Sequence, residues 1–159
     1  MNKTIKTVRL NYIRKASVCD GPGIRMVIFF QGCNRKCHGC HNPETWDSEK
    51  GELWEIDSLI EFVENHAKTK RVTLSGGEPL EQMPATERII SRLRCLNYDI
   101  ALYTGYELED VPQRILDGLN YIKVGPYVQS LRTTVKPYVG SENQVVHKLR
   151  DWERKYNER

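Results

Sequence analysis

Short apolar runs alternate with amphipathic segments along the middle of this chain, and this alternation constrains the fold more than any other feature of the sequence. Runs at 26–31, 72–74, 100–103 and 121–124 have the length of buried strands. Between them, apolar residues recur at helical spacing, namely Ile56, Leu59, Ile60, Val63 and Ala67 in one segment and Ile89, Ile90, Leu93 and Leu96 in a second segment that can begin at Pro84. Residues 111–119 form a third helical segment. Strands that alternate with short helices favour βαβ units and a mostly parallel sheet.

We therefore expect an α/β fold in a single domain that covers residues 1–159. No linker rich in proline, glycine or serine divides the chain, no internal repeat is visible, and 159 residues are enough to bury one core. The end of the chain has two interpretations. Residues 144–147 can form a last strand, whereas Val145, Leu149, Trp152 and Tyr156 have helical spacing.

Composition and charge argue against several classes of protein. The longest run of aliphatic and aromatic residues, 26–30, is far shorter than the ~20 residues that span a bilayer, so we expect no membrane partner. The basic N-terminal segment has no apolar stretch of the kind found in secretory signals, which predicts a cytoplasmic protein. The net charge of +3 comes without a clustered stripe of lysine and arginine, so we expect no nucleic acid partner.

Three of the five cysteines form the compact motif Cys33-x3-Cys37-x2-Cys40. In a reducing compartment such a cluster predicts metal binding or catalysis before disulfides. Three soft thiolates select zinc, copper(I) or an iron-sulfur cluster. A zinc site would take His38 or His41 as its fourth ligand.

A four-iron cluster usually takes four cysteines, so a motif of three leaves one iron open to a substrate or cofactor. Cys19 and Cys95 are possible fourth ligands, although an ordinary free thiol is the simpler interpretation of each. Residues 37–41 also form a C-x-x-C-H string of the kind that attaches haem, but haem attachment needs export and leaves Cys33 unexplained.

A second motif, Ser-Gly-Gly-Glu-Pro at 75–79, follows the second predicted strand. The glycine pair lets the backbone approach a ligand closely, and the Glu78 carboxylate can accept hydrogen bonds from an ammonium group. In parallel sheets, sites form at the carboxyl ends of strands. Because the cysteine motif also follows a strand, we expect the two motifs at the same edge.

Together, the two motifs resemble those of the radical S-adenosylmethionine superfamily. Within it, the chain resembles the activating enzymes of anaerobic ribonucleotide reductase, which are small glycyl-radical activases. The resemblance includes Asp-Gly-Pro-Gly-Ile-Arg at 20–25, Cys-His-Asn-Pro at 40–43 followed by Trp46, Tyr-Thr-Gly-Tyr at 103–106, and Gly-Ser-x-Asn-Gln at 140–144. The chain departs from the family pattern at Glu78, where aspartate is frequent, at 123–126, which lacks an acidic residue before Gly125, and at 138–139, where Trp-Arg is usual.

The resemblance implies an open partial (β/α) barrel with the cluster loop after the first core strand. It implies that Cys33, Cys37 and Cys40 are the catalytic centre and hold a 4Fe-4S cluster, whose fourth iron binds the amino and carboxylate groups of S-adenosylmethionine. One electron from the cluster then cleaves this cofactor to methionine and a 5′-deoxyadenosyl radical. That radical abstracts hydrogen from a glycine on the large subunit of the reductase.

The resemblance also implies roles for further residues. Gly76, Gly77 and Glu78 are expected to hold the methionine end of the cofactor, and the backbone of Gly39 and His41 is expected near the adenine. Asp20, Arg25, Asn143 and Gln144 are candidate contacts to the substrate or partner.

The expected partners are the large subunit of anaerobic ribonucleotide reductase and a reductant such as flavodoxin or ferredoxin, with the basic segment 148–159 as a candidate docking surface. The alternatives are an activase of another glycyl-radical enzyme, a radical S-adenosylmethionine enzyme that acts on a small molecule, and a zinc-stabilised binding module.

Overall fold

A computed structural model describes residues 4–152 of the chain. The strands are β1 (Thr7–Ser17), β2 (Arg25–Phe30), β3 (Glu52–Glu55), β4 (Arg71–Gly76), β5 (Asp99–Tyr103), β6 (Tyr121–Val124) and β7 (Val145–Lys148). The helices are α1 (Ile56–His66), α2 (Met83–Cys95) and the short α3 (Gln113–Leu116). The strands form one sheet in the order β3-β1-β2-β4-β5-β6-β7.

The centre of the sheet is parallel. Strands β2, β4, β5 and β6 run in the same direction, and each pairs with the next. Antiparallel strands extend this core on both sides, with β1 and β3 beyond β2 and β7 beyond β6. Within the described chain β3 and β7 are separate edges, so the sheet is open. This confirms the predicted α/β fold with an open, mostly parallel core, and the cysteine motif does follow the first strand of that core.

The hydrophobic core lies between one face of the sheet and the helices. The predicted apolar stripe of α1 is buried, as is that of α2. Side chains alternate between the two faces of a strand. In β4, Val72 and Leu74 therefore join the core with the helices, whereas Thr73 and Ser75 face the opposite side of the sheet. That opposite side carries the functional groups described below.

The structure differs from the sequence prediction in two places, and it decides between the two interpretations of the segment near the end of the chain. Strands β1 and β3 were not predicted, because charged residues interrupt β1 and one of its faces is exposed. The ambiguous segment near the end is a strand, β7, which pairs with β6. The helix predicted over 111–119 is only the single turn α3, preceded by a 3-10 turn at Leu108–Asp110.

Two further predictions concern the surface and the end of the chain. Within residues 4–152, the helices are too short or too polar to cross a bilayer. Of the predicted docking segment 148–159, residues 153–159 lie outside the described part of the chain.

Candidate active site

A cavity of about 490 Å³ opens at the carboxyl ends of the parallel strands. Its walls come from five places: the segment between β1 and β2, the cysteine loop after β2, the glycine motif at the end of β4, the turn after β5 and the long loop between β6 and β7. All three cysteines of the motif line it, together with Gly76, Gly77 and Glu78. The two motifs therefore meet at one edge, as the sequence predicted.

The cysteine loop is held in place mainly by its own backbone. Gly32 donates to the carbonyl of Thr45 at 2.6 Å, and Cys33 donates to the carbonyl of Trp46 at 3.1 Å, so the two ends of the loop are joined. Inside the loop, the Cys40 amide donates to the carbonyl of Cys37 at 3.0 Å. Partial burial raises the pKa of the Cys33 thiol above its usual value.

The donor set suits an iron-sulfur cluster. Cys33, Cys37 and Cys40 are free thiols on one short loop, all of them partly exposed to the same cavity, and thiolates are the ligands that such clusters require. Across residues 4–152 no three side chains of cysteine, histidine, aspartate or glutamate converge as a metal site.

The other two cysteines are placed differently from each other. Cys95 ends α2, is exposed and does not line the cavity. Cys19 is also exposed, but it does line the cavity, next to Asp20. Of the two candidate zinc ligands, His41 lines the cavity and His38 does not.

The glycine pair allows a close approach between the chain's own segments. Gly76 has a φ of +103°, and a Cβ atom at Gly77 would collide with the carbonyl oxygen of Gly32. In this tight space the Gly77 amide donates to the carbonyl of Phe30 and the Glu78 amide to that of Gly32, both at 2.8 Å. The glycine motif thus fixes the first residues of the cysteine loop.

Glu78 is almost fully buried, with 2% of its surface exposed, and its carboxylate is engaged by the protein itself. It accepts from the amides of Leu80 at 3.1 Å and Gly105 at 2.7 Å, and the Thr104 hydroxyl donates to both of its oxygens at 2.8 and 2.9 Å. Burial raises the pKa of this carboxyl group, and the donated hydrogen bonds oppose that shift. The carboxylate therefore ties the end of β4 to the turn after β5.

The residues predicted near an adenine lie beside an aromatic ring that the sequence analysis did not single out. The rings of His41 and Tyr127 are 5.1 Å apart between centroids. The Tyr127 hydroxyl donates to Gln129 at 2.6 Å, and a Cβ atom at Gly39 would collide with that Gln129 side chain. Gly39 has a φ of +74°, a backbone conformation that favours glycine, whereas the Gln129 side chain is flexible and could move away from a Cβ atom.

Asn143 and Gln144 hold the loop that covers one side of the cavity. Gln144 accepts from the amides of Gly140 at 2.8 Å and Ser141 at 3.3 Å, and it donates to the carbonyl of Gly125 at 3.0 Å. Asn143 donates to the carbonyl of Pro126 at 2.8 Å. Both amide side chains therefore fasten the loop to the end of β6, with Gln144 buried and Asn143 exposed.

Asp20 and Arg25, the other two candidate contacts, have different environments. Asp20 lines the cavity, and its Oδ2 accepts from the Ser17 hydroxyl at 2.5 Å. Arg25 is completely buried and forms an ion pair with Asp99 at 3.3 Å. Arg25 also donates to Thr73 at 2.8 Å and to the carbonyl of Pro22 at 2.9 Å. Arg25 thus supports the segment that carries Asp20 and offers no surface to a partner.

Lys123 is a cavity residue that the sequence analysis did not select. Its ammonium lies 4.3 Å from the centroid of the Tyr103 ring. Burial lowers the pKa of Lys123 to about 8, and Asp20 is the acidic residue that most strongly opposes this shift. The sequence did contain a signal for Lys123, namely the alternation of apolar and polar residues along β6. Because Ile122 and Val124 face the core, Lys123 between them faces the cavity.

Comparisons with known proteins agree with this site. The family model described as a 4Fe-4S single cluster domain matches residues 19–147. The chain is 33% identical over 144 residues to the anaerobic ribonucleoside-triphosphate reductase-activating protein of Escherichia coli (strain K12), an alignment that covers 84% of this chain and 94% of the relative. It is 37% identical over 148 residues to the protein of the same name from Enterobacteria phage T4, with coverage of 85% and 92%.

Two more distant similarities involve other proteins. Over 91 residues the chain is 37% identical to the pyruvate formate-lyase-activating enzyme of Staphylococcus aureus (strain USA300). This alignment covers 54% of this chain and 36% of the relative. The crystal structure of QueE from Escherichia coli superposes with a TM-score of 0.52 at 16% identity, and covers 73% of this chain and 69% of that one. This second similarity shows that the two proteins share a fold.

Proposed function

The chain belongs to the family of anaerobic ribonucleoside-triphosphate reductase-activating proteins, radical S-adenosylmethionine enzymes that use a 4Fe-4S cluster, and on this premise we propose that it generates a glycyl radical on the large subunit of an anaerobic ribonucleotide reductase. The observation that carries the proposal is the meeting of the three-cysteine loop and the Gly-Gly-Glu motif in one open cavity. The activity is assigned to residues 1–159 as a single radical S-adenosylmethionine domain.

Cys33, Cys37 and Cys40 are assigned as the cluster ligands. Three ligands leave one iron for the amino and carboxylate groups of S-adenosylmethionine, and the bound cofactors supply the electron and the hydrogen-abstracting group. The protein's own contribution is to position these groups. The hydrogen bonds from Gly77 to Phe30 and from Glu78 to Gly32 support that role, because they connect the cofactor-binding motif directly to the cluster loop.

Gly76, Gly77 and Glu78 are assigned to the methionine end of the cofactor. The Glu78 carboxylate already accepts from Leu80, Thr104 and Gly105, so little of its acceptor capacity is left for an ammonium group. We therefore assign to Glu78 mainly the task of shaping this end of the site. Backbone groups of the glycine motif are then the direct contacts.

The adenine is assigned to the other side of the cavity. Gly39 and His41 lie there, and Tyr127 adds a second ring beside that of His41. Aromatic faces are suitable surfaces for a purine base because both have π systems that stack. Tyr127 thus extends the adenine site that the sequence predicted.

The polypeptide substrate is assigned to the open mouth of the cavity, near Asp20. The cavity opens at the edge of the sheet, and an open cavity admits a loop of another protein. Asn143 and Gln144 contribute by keeping the wall formed by 126–144 in place. A flavodoxin or ferredoxin as the reductant and a cytoplasmic location remain predictions of the sequence analysis.

A second candidate function is the activation of a different glycyl-radical enzyme. The similarity to a pyruvate formate-lyase-activating enzyme favours it, but that similarity covers only 54% of this chain. The cofactor residues would be the same in both cases. Only the identity of the partner distinguishes the two functions.

Electron paramagnetic resonance tests the proposal. The protein is reconstituted anaerobically with iron and sulfide and mixed with S-adenosylmethionine, a reductant and the large subunit of an anaerobic ribonucleotide reductase. The expected result is a glycine doublet on the large subunit, absent with the Cys37→Ala variant. A parallel mixture contains pyruvate formate-lyase. A doublet only in that mixture would support the second candidate, and zinc without iron in the purified protein would support a binding module.

A further inference from the structure

The Lys123 side chain is a cation in the cavity without an acceptor. It contacts the face of the Tyr103 ring, and within residues 4–152 no carboxylate or carbonyl oxygen receives a hydrogen bond or forms an ion pair with its Nζ. The cavity wall includes Lys123 itself. Lys123 is partly buried, so its ammonium has only part of the hydration of a surface lysine, and a charge with reduced hydration favours a hydrogen-bond acceptor. A ligand that supplies an acceptor would account for this lysine.

The same corner of the cavity contains other unsatisfied groups. The Tyr103 hydroxyl is buried and has no hydrogen-bond partner in the described part of the chain. The Asp20 carboxylate also lines the cavity. Its Oδ2 accepts from Ser17 and forms an ion pair with Arg14 at 3.9 Å, whereas no described residue donates a hydrogen bond to Oδ1. Asp20 is the acidic group with the largest electrostatic effect on both Lys123 and Tyr103, yet it does not form an ion pair with Lys123. A donor and an acceptor thus share one corner without contacting each other.

This pair of groups matches the chemistry of a peptide backbone. A peptide unit offers a carbonyl oxygen to a donor and an N–H group to an acceptor. S-adenosylmethionine fits the corner less well, because its carboxylate, the group that would pair with Lys123, is assigned to the open iron of the cluster. Its sulfonium is a cation that the ammonium of Lys123 would repel. The glycine motif assigned to the methionine end lies at the end of β4, which is two strands away from Lys123 on β6. Glu78 of that motif acts electrostatically on Lys123, but less strongly than Asp20 does.

We propose that Lys123 is a substrate-binding residue that donates a hydrogen bond to the backbone carbonyl of the target glycine, opposite Asp20. The inference rests on the proposed function and adds the group that recognises the polypeptide. In the reaction the hydrogen atom moves from the glycine Cα to the carbon derived from the cofactor, and Lys123 keeps its protons. Its ammonium stabilises the carbonyl oxygen onto which the unpaired electron is partly delocalised, as a preorganised donor does in other enzymes.

The test uses the variants Lys123→Met and Lys123→Gln, which remove the charge, and Lys123→Arg, which keeps it. Lys50→Met is the matched control, because Lys50 is exposed and does not line this cavity. Each reconstituted protein is assayed for iron content, for the dissociation constant of S-adenosylmethionine, for the large-subunit concentration that gives half-maximal radical formation, and for glycyl radicals formed per 5′-deoxyadenosine released.

For Lys123→Met and Lys123→Gln we expect normal iron content and normal affinity for S-adenosylmethionine. We also expect either an increase of about tenfold in the large-subunit concentration that gives half-maximal radical formation, or a decrease of about tenfold in glycyl radicals per 5′-deoxyadenosine. This is the effect of losing one charge-assisted hydrogen bond. Lys123→Arg should recover part of this loss, and Lys50→Met should show none. A tenfold higher dissociation constant of S-adenosylmethionine, with an unchanged number of glycyl radicals per 5′-deoxyadenosine, would overturn the inference and assign Lys123 to the binding of S-adenosylmethionine. Unchanged values in all assays would show that Lys123 is dispensable, and loss of iron in both variants would show that it is structural; either result would overturn the inference. Absence of a glycyl radical with the unaltered protein would instead overturn the proposed function.

Discussion

The Glu78 carboxylate accepts a hydrogen bond from the Gly105 amide at 2.7 Å, and this bond connects the ends of two neighbouring parallel strands. The two residues are 27 positions apart in the sequence and belong to the segments after β4 and β5. Since the Glu78 amide also donates to Gly32, this residue links three walls of the cavity. The geometry of the site therefore depends on Glu78 before any cofactor is bound.

The variant Glu78→Gln is expected to destabilise the protein. A glutamine presents one acceptor oxygen and an NH2 group, so it cannot accept from Leu80, Thr104 and Gly105 in the same arrangement. Leaving one buried donor unsatisfied costs about 1–3 kcal/mol. Thermal unfolding of the reconstituted protein measures the effect, with Glu87→Gln as the control because Glu87 forms only a surface ion pair with Arg114. Equal midpoints for the two variants would contradict the role given to Glu78.

Cysteine replacements are expected to separate the ligands from the remaining thiols. Cys33→Ala, Cys37→Ala and Cys40→Ala should each prevent stable assembly of a four-iron cluster, because only three protein ligands are assigned. Cys95→Ala should retain the cluster, since Cys95 lies outside the cavity. Cys19→Ala is the more demanding variant, because Cys19 lines the cavity and is still expected to be dispensable. Iron and sulfide analysis checks these results, and loss of the cluster in Cys19→Ala would indicate a fourth ligand.

The variant Gly77→Ala is expected to weaken both the fold and the cluster site. Its Cβ would collide with the carbonyl of Gly32, which stands directly before Cys33. A Cβ at Gly140, by contrast, would lie 3.1 Å from the Tyr127 ring and 3.6 Å from Gln144 Oε1, so Gly140→Ala is the milder comparison. Iron content, thermal midpoint and S-adenosylmethionine affinity are measured for both. If Gly77→Ala lowered only the affinity for S-adenosylmethionine, the glycine pair at 76–77 would be required to make space for the ligand and not for the contact with Gly32.

Replacing Lys123 with methionine is expected to stabilise the protein at neutral pH. Burial lowers the pKa of Lys123 from 10.5 to about 8, so between these pH values the unfolded chain binds more protons than the folded one. The free energy of unfolding therefore rises with pH across this window. The destabilisation caused by burying the charged form of Lys123 is fully present below pH 8. Thermal midpoints of Lys123→Met should exceed those of the unaltered protein at pH 7 and converge with them near pH 10.5. A lower midpoint at pH 7 would show that the buried charge is compensated.

The sequence predicted those parts of the site that depend on local order in the chain. The cysteine loop and the glycine motif each follow a parallel strand, so placing both strands correctly was sufficient to bring them to one edge. Strands β1 and β3 depend on pairing between distant segments, such as Val8 with Trp54, and their local pattern did not indicate it.

Side-chain environments that depend on distant partners were also outside the reach of the sequence. The burial of Arg25 depends on Asp99, which is 74 positions away, so the arginine appeared to be a candidate contact. The position of Lys123 beside Tyr103 depends on the register of β6 against β5. Neither property can be inferred from residues close in sequence.

The most direct test of the central claim follows a hydrogen atom from the partner to the cofactor. The large subunit of an anaerobic ribonucleotide reductase is produced with glycine deuterated at Cα and activated by this protein, and the released 5′-deoxyadenosine is analysed by mass spectrometry. We predict one deuterium in each 5′-deoxyadenosine that accompanies a glycyl radical. Unlabelled 5′-deoxyadenosine in the presence of active cluster and large subunit would contradict the claim that this chain abstracts hydrogen from a glycine of its partner.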